Sequence, residues 1–161
     1  THKAHVLVAV LAHGLTPVEA GKLHVKVIAT CLKQPNAIGV YVSGTVFQPE
    51  FYIEVANMMK EDEENLPVLT WVYLGLYRNE EGNNIYTYGM TAFGKEEIEI
   101  LGSKHNFPEL QRFMLEIAYY VIGSDVTLRE GETLGVSEEQ KLPITRSKGV
   151  AVEGMTLKIE Y

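Results

Sequence analysis

The chain has 161 residues, 46% of them apolar, which suffices for the core of one ordinary domain and not for two comfortable ones. Fourteen Lys and Arg against twenty-one Asp and Glu give a formal charge of −7 with no basic face, which argues against a nucleic-acid partner. The longest apolar run, Val6 to Ala12, is far shorter than the ~20 residues a membrane helix needs, so no membrane partner is expected.

AHVLVAVLA, residues 4–12, is apolar at almost every position and predicts a strand buried on both faces. After the turn at His13-Gly14, Thr16-Pro17-Val18-Glu19 supplies a capping hydroxyl, a first-turn proline and a carboxylate three residues after the cap, so a helix begins there. Ala20, Leu23, Val27, Ile28, Cys31 and Leu32 form its expected inner stripe, and Pro35-Asn36 ends it. AIGVYV, from Ala37, reads as a second buried strand; strand, helix and strand with short connections predict a parallel βαβ crossover. Pro49 opens a second helix with Phe51, Tyr52, Val55, Ala56 and Met59 inward, and the run from Lys60 to Glu64 is expected to be a solvated loop beyond it.

LPVLTWVYLGLYR, from Leu66, reads as strand, followed by a hairpin turn across Asn79 to Asn84. Strand resumes with IYTYGMTAF and, after Gly94-Lys95, with EIEIL. Pro108 opens a third helix whose inner stripe is Leu110, Phe113, Met114, Ile117, Ala118 and Val121, with Gly123 in the C-cap role. Beyond it lie strands and loops with a hairpin turn near Glu130-Gly131, ending in TLKIEY, which places Leu157, Ile159 and Tyr161 on one side. The prediction is one α+β domain, 1–161, in two parts, 1–66 and 67–161. It combines a mixed β-sheet with an N-terminal βαβ crossover, later antiparallel hairpins and three helices packed on the sheet.

Gly-Met-Thr occurs twice, at residues 89–91 and 154–156. Glycine within a strand marks a bulge or a close approach, so the preferred reading is a packing feature of adjacent strands. The functional alternative is a shallow groove flanked by Gly89 and Gly154 and walled by Tyr86, Tyr88, Thr91 and Thr156. Thr145 to Gly149 is the one compact loop rich in basic and hydroxyl groups, where Arg146 and Lys148 could hold an anion. Glu97 and Glu99 fall on one face of a strand, a spacing used in acid-base catalysis. A solvated outer face with Ile98 and Ile100 turned inward is the preferred reading. His2 and His5 would project to opposite faces of a strand, His13 has no partner at ligand spacing, and no HExxH, GxSxG or phosphate-loop motif occurs, so no metal, cofactor or catalytic residue is assigned. Cys31, the single cysteine, excludes an internal disulfide, suits a reducing cytoplasm and is expected to be inert core. No export signal is expected, although the lack of an initiating Met at Thr1 leaves room for residues upstream.

YTYGMTAFGKEEIEIL and PITRSKGVAVEGMTLKIEY, with the helix between them, resemble an uncharacterised bacterial family known only as a domain of unknown function, number 4261. The resemblance covers roughly residues 73–161, and VEGMTLKIEY is its most specific part. It implies a bacterial, cytoplasmic protein with no assigned activity, cofactor or site residue. With nine tyrosines and no catalytic motif, the leading expectation is a non-enzymatic interaction module that self-associates, as a dimer for instance, or holds a protein partner. The alternative is a small-molecule enzyme or anionic-ligand binder, with its pocket near the two Gly-Met-Thr segments and the 145–149 loop.

Overall fold

A computed structural model describes residues 2–62, 64–135 and 141–161. Its internal contacts divide the chain into two units, Thr1–Trp71 and Val72–Tyr161. The α+β class holds; the N-terminal crossover does not.

In the first unit α1 runs over Pro17–Leu32, started by the Thr16/Glu19 capping box. The Glu19 amide donates to the Thr16 hydroxyl at 3.2 Å and the Glu19 carboxylate accepts from the Thr16 amide at 2.8 Å. Its buried stripe is Val25, Ile28, Ala29 and Leu32, while Leu23 and Val27 face outward and Cys31 is half-buried, a rotation of the expected face. Gly21 lets the Trp71 ring close on the helix: a Cβ there would sit 3.0 Å from the indole.

Residues 4–12 form no strand, and most of them are exposed. The second expected strand is shorter, β1 (Val40–Val42), and pairs antiparallel with β2 (Thr45–Phe47). Ser43 at φ 48° and Gly44 at φ 79° form the two-residue reversal between them, and such consecutive left-handed residues suit a tight hairpin. A local hairpin replaces the crossover. α2 follows as Pro49–Glu61, and it packs on α1 with Tyr52, Val55, Ala56 and Met59 buried. Phe51 is outward from this core but stacks on Phe47 at 5.7 Å. Within the expected loop 60–64, Glu63 lies outside the described residues. Val68–Trp71 is a short helix, α3, so the strand expected from Leu66 begins only at Tyr73.

The second unit is a six-stranded sheet in the order β3-β4-β5-β8-β7-β6. Its strands are β3 (Tyr73–Arg78), β4 (Asn83–Tyr88), β5 (Ile98–Ser103), β6 (Thr133–Gly135), β7 (Lys141–Lys148) and β8 (Met155–Ile159). Neighbours are antiparallel except β5 and β8, which run parallel. The β3–β4 turn falls where Asn79 to Asn84 predicts it. The turn near Gly131 precedes β6, and residues 136–140, between β6 and β7, lie outside the described residues. α4 (Phe107–Gly123) carries the Asn106/Glu109 capping box and buries the whole predicted stripe plus Ile122; Gly123 is its last residue and Ser124 its cap.

Register sorts the sheet into two faces. Ile85, Ile98, Ile100, Leu157, Ile159 and Ile144 share one face and are buried. Tyr161 continues that side, and its ring stacks between His105 at 4.2 Å and Phe113 at 3.8 Å, which marks the face α4 covers.

The connection from β7 to β8 turns sharply at Gly149, where a Cβ would lie 2.0 Å from the Val152 carbonyl oxygen. Gly149→Ala must displace backbone, so it is expected to destabilise the unit by about 1–3 kcal/mol. A lowered urea midpoint at unchanged slope checks this.

Candidate functional site

On the other face of the sheet a row of residues runs straight across five strands: Gly75, Tyr86, Glu99, Lys158 and Thr145. β5 sits in the middle of the sheet, so its side chains cannot reach water by leaning over an edge. Glu99 is fully buried, and burying a carboxylate is unfavourable unless it is paired and hydrogen-bonded. Four donors meet it. The Ala151 amide donates at 2.7 Å, the Val150 amide at 3.1 Å to either oxygen, the Thr156 hydroxyl at 3.0 Å, and the Lys158 ammonium stands 2.6 Å away. Lys158 also donates to the Thr156 hydroxyl and, at 3.3 Å, to the Lys148 carbonyl. Burial pushes the Glu99 carboxyl up, but Lys158, the Ala151 and Val150 amides and the Thr156 hydroxyl together outweigh it and hold it below its ordinary value.

Glu97, also buried, plays the matching part beside β4. It accepts from the Thr87 hydroxyl at 2.7 Å, the Gly89 amide at 2.8 Å and the Thr91 amide at 3.4 Å. The Thr87 oxygen in turn accepts from the Ile98 amide at 2.8 Å, replacing a ladder bond where β4 and β5 part. The expected solvated face for this pair is therefore wrong: both carboxylates are internal ties. An Ile-Glu alternation looks the same on a half-exposed strand as on the central strand of a sheet with buried polar anchors.

The Gly-Met-Thr echo resolves in the same terms. The two copies are not on adjacent strands, because β5 lies between β4 and β8. Both copies lie at the end of the β4–β5–β8 trio where β5 begins, and each is tied to one carboxylate, Glu97 just before β5 or Glu99 within it. Gly89 at φ 120° ends β4 before a 3-10 turn, Met90–Phe93, and Gly154 at φ 92° leads into β8. Both glycines answer a backbone angle that side chains resist; around Gly154 there is open space, so no close approach explains it. The remaining positions differ, with Met90 and Thr156 buried and Thr91 and Met155 exposed.

Of the six residues assigned to a ligand groove, Tyr86 and Thr156 meet around Glu99. The Tyr86 ring lies over Gly75, whose absent Cβ would sit 2.1 Å from it, and Tyr73 and Tyr77 flank it at 6.1 and 6.4 Å. Burial raises the Tyr86 hydroxyl, and at Tyr77 burial and then the negative charge of Glu99 do the same. Tyr88 is at the exposed end of this face. Thr91 is exposed in the 3-10 turn. Arg146 and Lys148 are on β7, which is strand where a loop was expected, and alternation puts them on the face opposite Tyr86 and Thr156. Arg146 is engaged by Glu96 at 2.8 and 3.0 Å in a half-exposed pair. A groove of about 690 Å³ does run between α4 and residues 126–135, over Phe113, Ile117, Tyr120 and Leu128 with Glu116 and Glu132, but none of the six residues lines it.

Among the described residues, no three His, Cys, Asp or Glu side chains gather as a metal site, and no helix is long and apolar enough to cross a membrane.

Glu99→Gln leaves the Lys158 ammonium without its counter-charge and turns an amide N–H₂ toward donors, so a loss of about 3 kcal/mol is expected in chemical denaturation. Because its carboxyl is lower in the folded chain than in the unfolded one, its contribution is complete above the ordinary value of 4.5 and lost as pH falls below it. The wild type is therefore expected to lose stability between pH 4.5 and lower values more steeply than Glu99→Gln, as read from denaturation midpoints across an acid series.

No curated protein and no solved structure matches the chain. Residues 86–160, which hold both Gly-Met-Thr copies, both buried carboxylates and α4, match the family described as a domain of unknown function (DUF4261).

Proposed function

We propose that the chain is a non-enzymatic association module, which binds itself or a protein partner rather than turning over a substrate. The internal hydrogen bonding of Glu97 and Glu99 carries this reading. A general base needs a free lone pair on a group whose protonation is poised near the working pH. Glu99 accepts from four internal donors and is held on the acidic side of its ordinary value, and Glu97 accepts from three. The best-placed carboxylates for chemistry are thus committed to holding the fold.

What faces outward supports association. Tyr88, Tyr119 and Tyr120 are 56%, 39% and 48% exposed, and aromatic side chains with one wet edge are favoured where surfaces meet. A bacterial cytoplasmic setting belongs to the same reading and draws on the single cysteine and the family resemblance. The rival reading, an enzyme or anion binder using Tyr86, Tyr88, Thr91, Arg146, Lys148 and Thr156, has less behind it, since Arg146 and Lys148 are on the sheet face opposite Tyr86, Tyr88 and Thr156 and Arg146 already has Glu96.

Sedimentation across a wide concentration range is expected to show species heavier than the 18.0 kDa chain. A monomer at every concentration, together with no protein cross-linked to the chain in its own cells, would sink the proposal.

A further inference from the structure

We infer that residues 5–13 pair antiparallel, about a two-fold axis at Ala9, with the same segment of a second copy of the chain. The inference deepens the association reading by naming one surface and one partner.

The segment carries the features of a strand without a neighbour. Val6, Leu7 and Leu11 are 79%, 86% and 83% exposed, yet the run is apolar on both faces, a composition that suits the inside of a sheet. Among the described residues it has no ladder partner. One edge is already in use, because the Val8 carbonyl accepts from His24 Nε2 of α1 at 3.3 Å. In a strand, successive residues present their amides and carbonyls to alternate edges. Keeping Val8 on α1 leaves the edge formed by Leu7, Ala9 and Leu11.

The sequence names the occupant. His5-Val6-Leu7-Val8-Ala9-Val10-Leu11-Ala12-His13 reads nearly the same in both directions about Ala9, with only Val6 and Ala12 unmatched. A two-fold antiparallel ladder centred on Ala9 sets Leu7 opposite Leu11, Val8 opposite Val10 and Ala9 opposite itself. From Leu7 to Leu11 every side chain then meets its own kind, and the pairs that exchange both backbone bonds are those on the free edge. A closed two-fold contact uses the same surface on both copies, which a palindromic strand provides without any other change.

Three variants test this on the full chain, with circular dichroism confirming that each folds; the segment's exposure makes them benign to the rest. Leu7→Asp puts a charge into the paired face and Ala9→Pro removes a ladder donor, and each is expected to weaken self-association by about tenfold or more. In a Cys31→Ser background, Ala9→Cys lies on the axis, where opposed Cα atoms sit about 5.5 Å apart, within disulfide reach, so mild oxidation is expected to link it to its own copy. Val6→Cys, off the axis, is expected not to link. Self-association that survives both Leu7→Asp and Ala9→Pro, with no linking of Ala9→Cys, overturns this inference and leaves the association reading standing. A chain that stays monomeric at all concentrations overturns it too, and the wider reading then rests on cross-linking in cells alone.

Discussion

A fully buried carboxylate in the middle of a sheet has to be surrounded by donors or it destabilises everything near it, and at Glu99 those donors come from two places in the chain. The β7–β8 connection gives two amides, and β8 gives a hydroxyl and an ammonium. The tight turn at Gly149 aims the two amides, and the parallel pairing of β5 with β8 brings Thr156 and Lys158 into range. Removing any one member exposes the others to the cost of an unpaired buried charge. The order β4-β5-β8 is thereby fixed by charge as well as by the apolar face under α4. Glu97 does on the β4 side what Glu99 does on the β8 side, with neutral donors only.

Glu97 and Glu99 thus both tie neighbouring segments together inside the sheet. Acid-base pairs in enzymes keep at least one oxygen open to a reacting atom. Here each oxygen accepts from a backbone amide, a hydroxyl or the Lys158 ammonium, and the Tyr86 ring rests over the recess that Gly75 leaves. On the sheet face around the half-buried Tyr86, the polar groups of Glu99 and Thr156 are fully buried.

Local signals carried well from sequence to structure and long-range ones did not. Capping chemistry marks the start of α1, a single stripe gives the core of α4, and the Asn79 to Asn84 turn defines the β3–β4 hairpin; each depends on residues within a few positions of one another. The run 4–12 signals a wish for burial but not the location of the neighbour, so a crossover was expected where the chain makes a separate hairpin. Residues 68–71 are rich in β-formers yet helical, context overriding propensity. The fate of Glu99 was hidden because its partners lie more than fifty residues away in sequence, with |i−j| of 57 to Thr156. The pairing of Gly-Met-Thr with EEIEIL was legible as a repetition, and its meaning needed the strand order.

That strand order has a bearing on how the unit comes into being. β8 is threaded into the interior of the sheet between β5 and β7, although it is the last of the described strands in sequence order. While a ribosome is still making the chain, β5 has a bare flank and Glu99 has neither lysine nor hydroxyl to meet it. The sheet can be completed only after residue 159 has emerged, so the nascent polypeptide carries Glu99 without its charged mate until then.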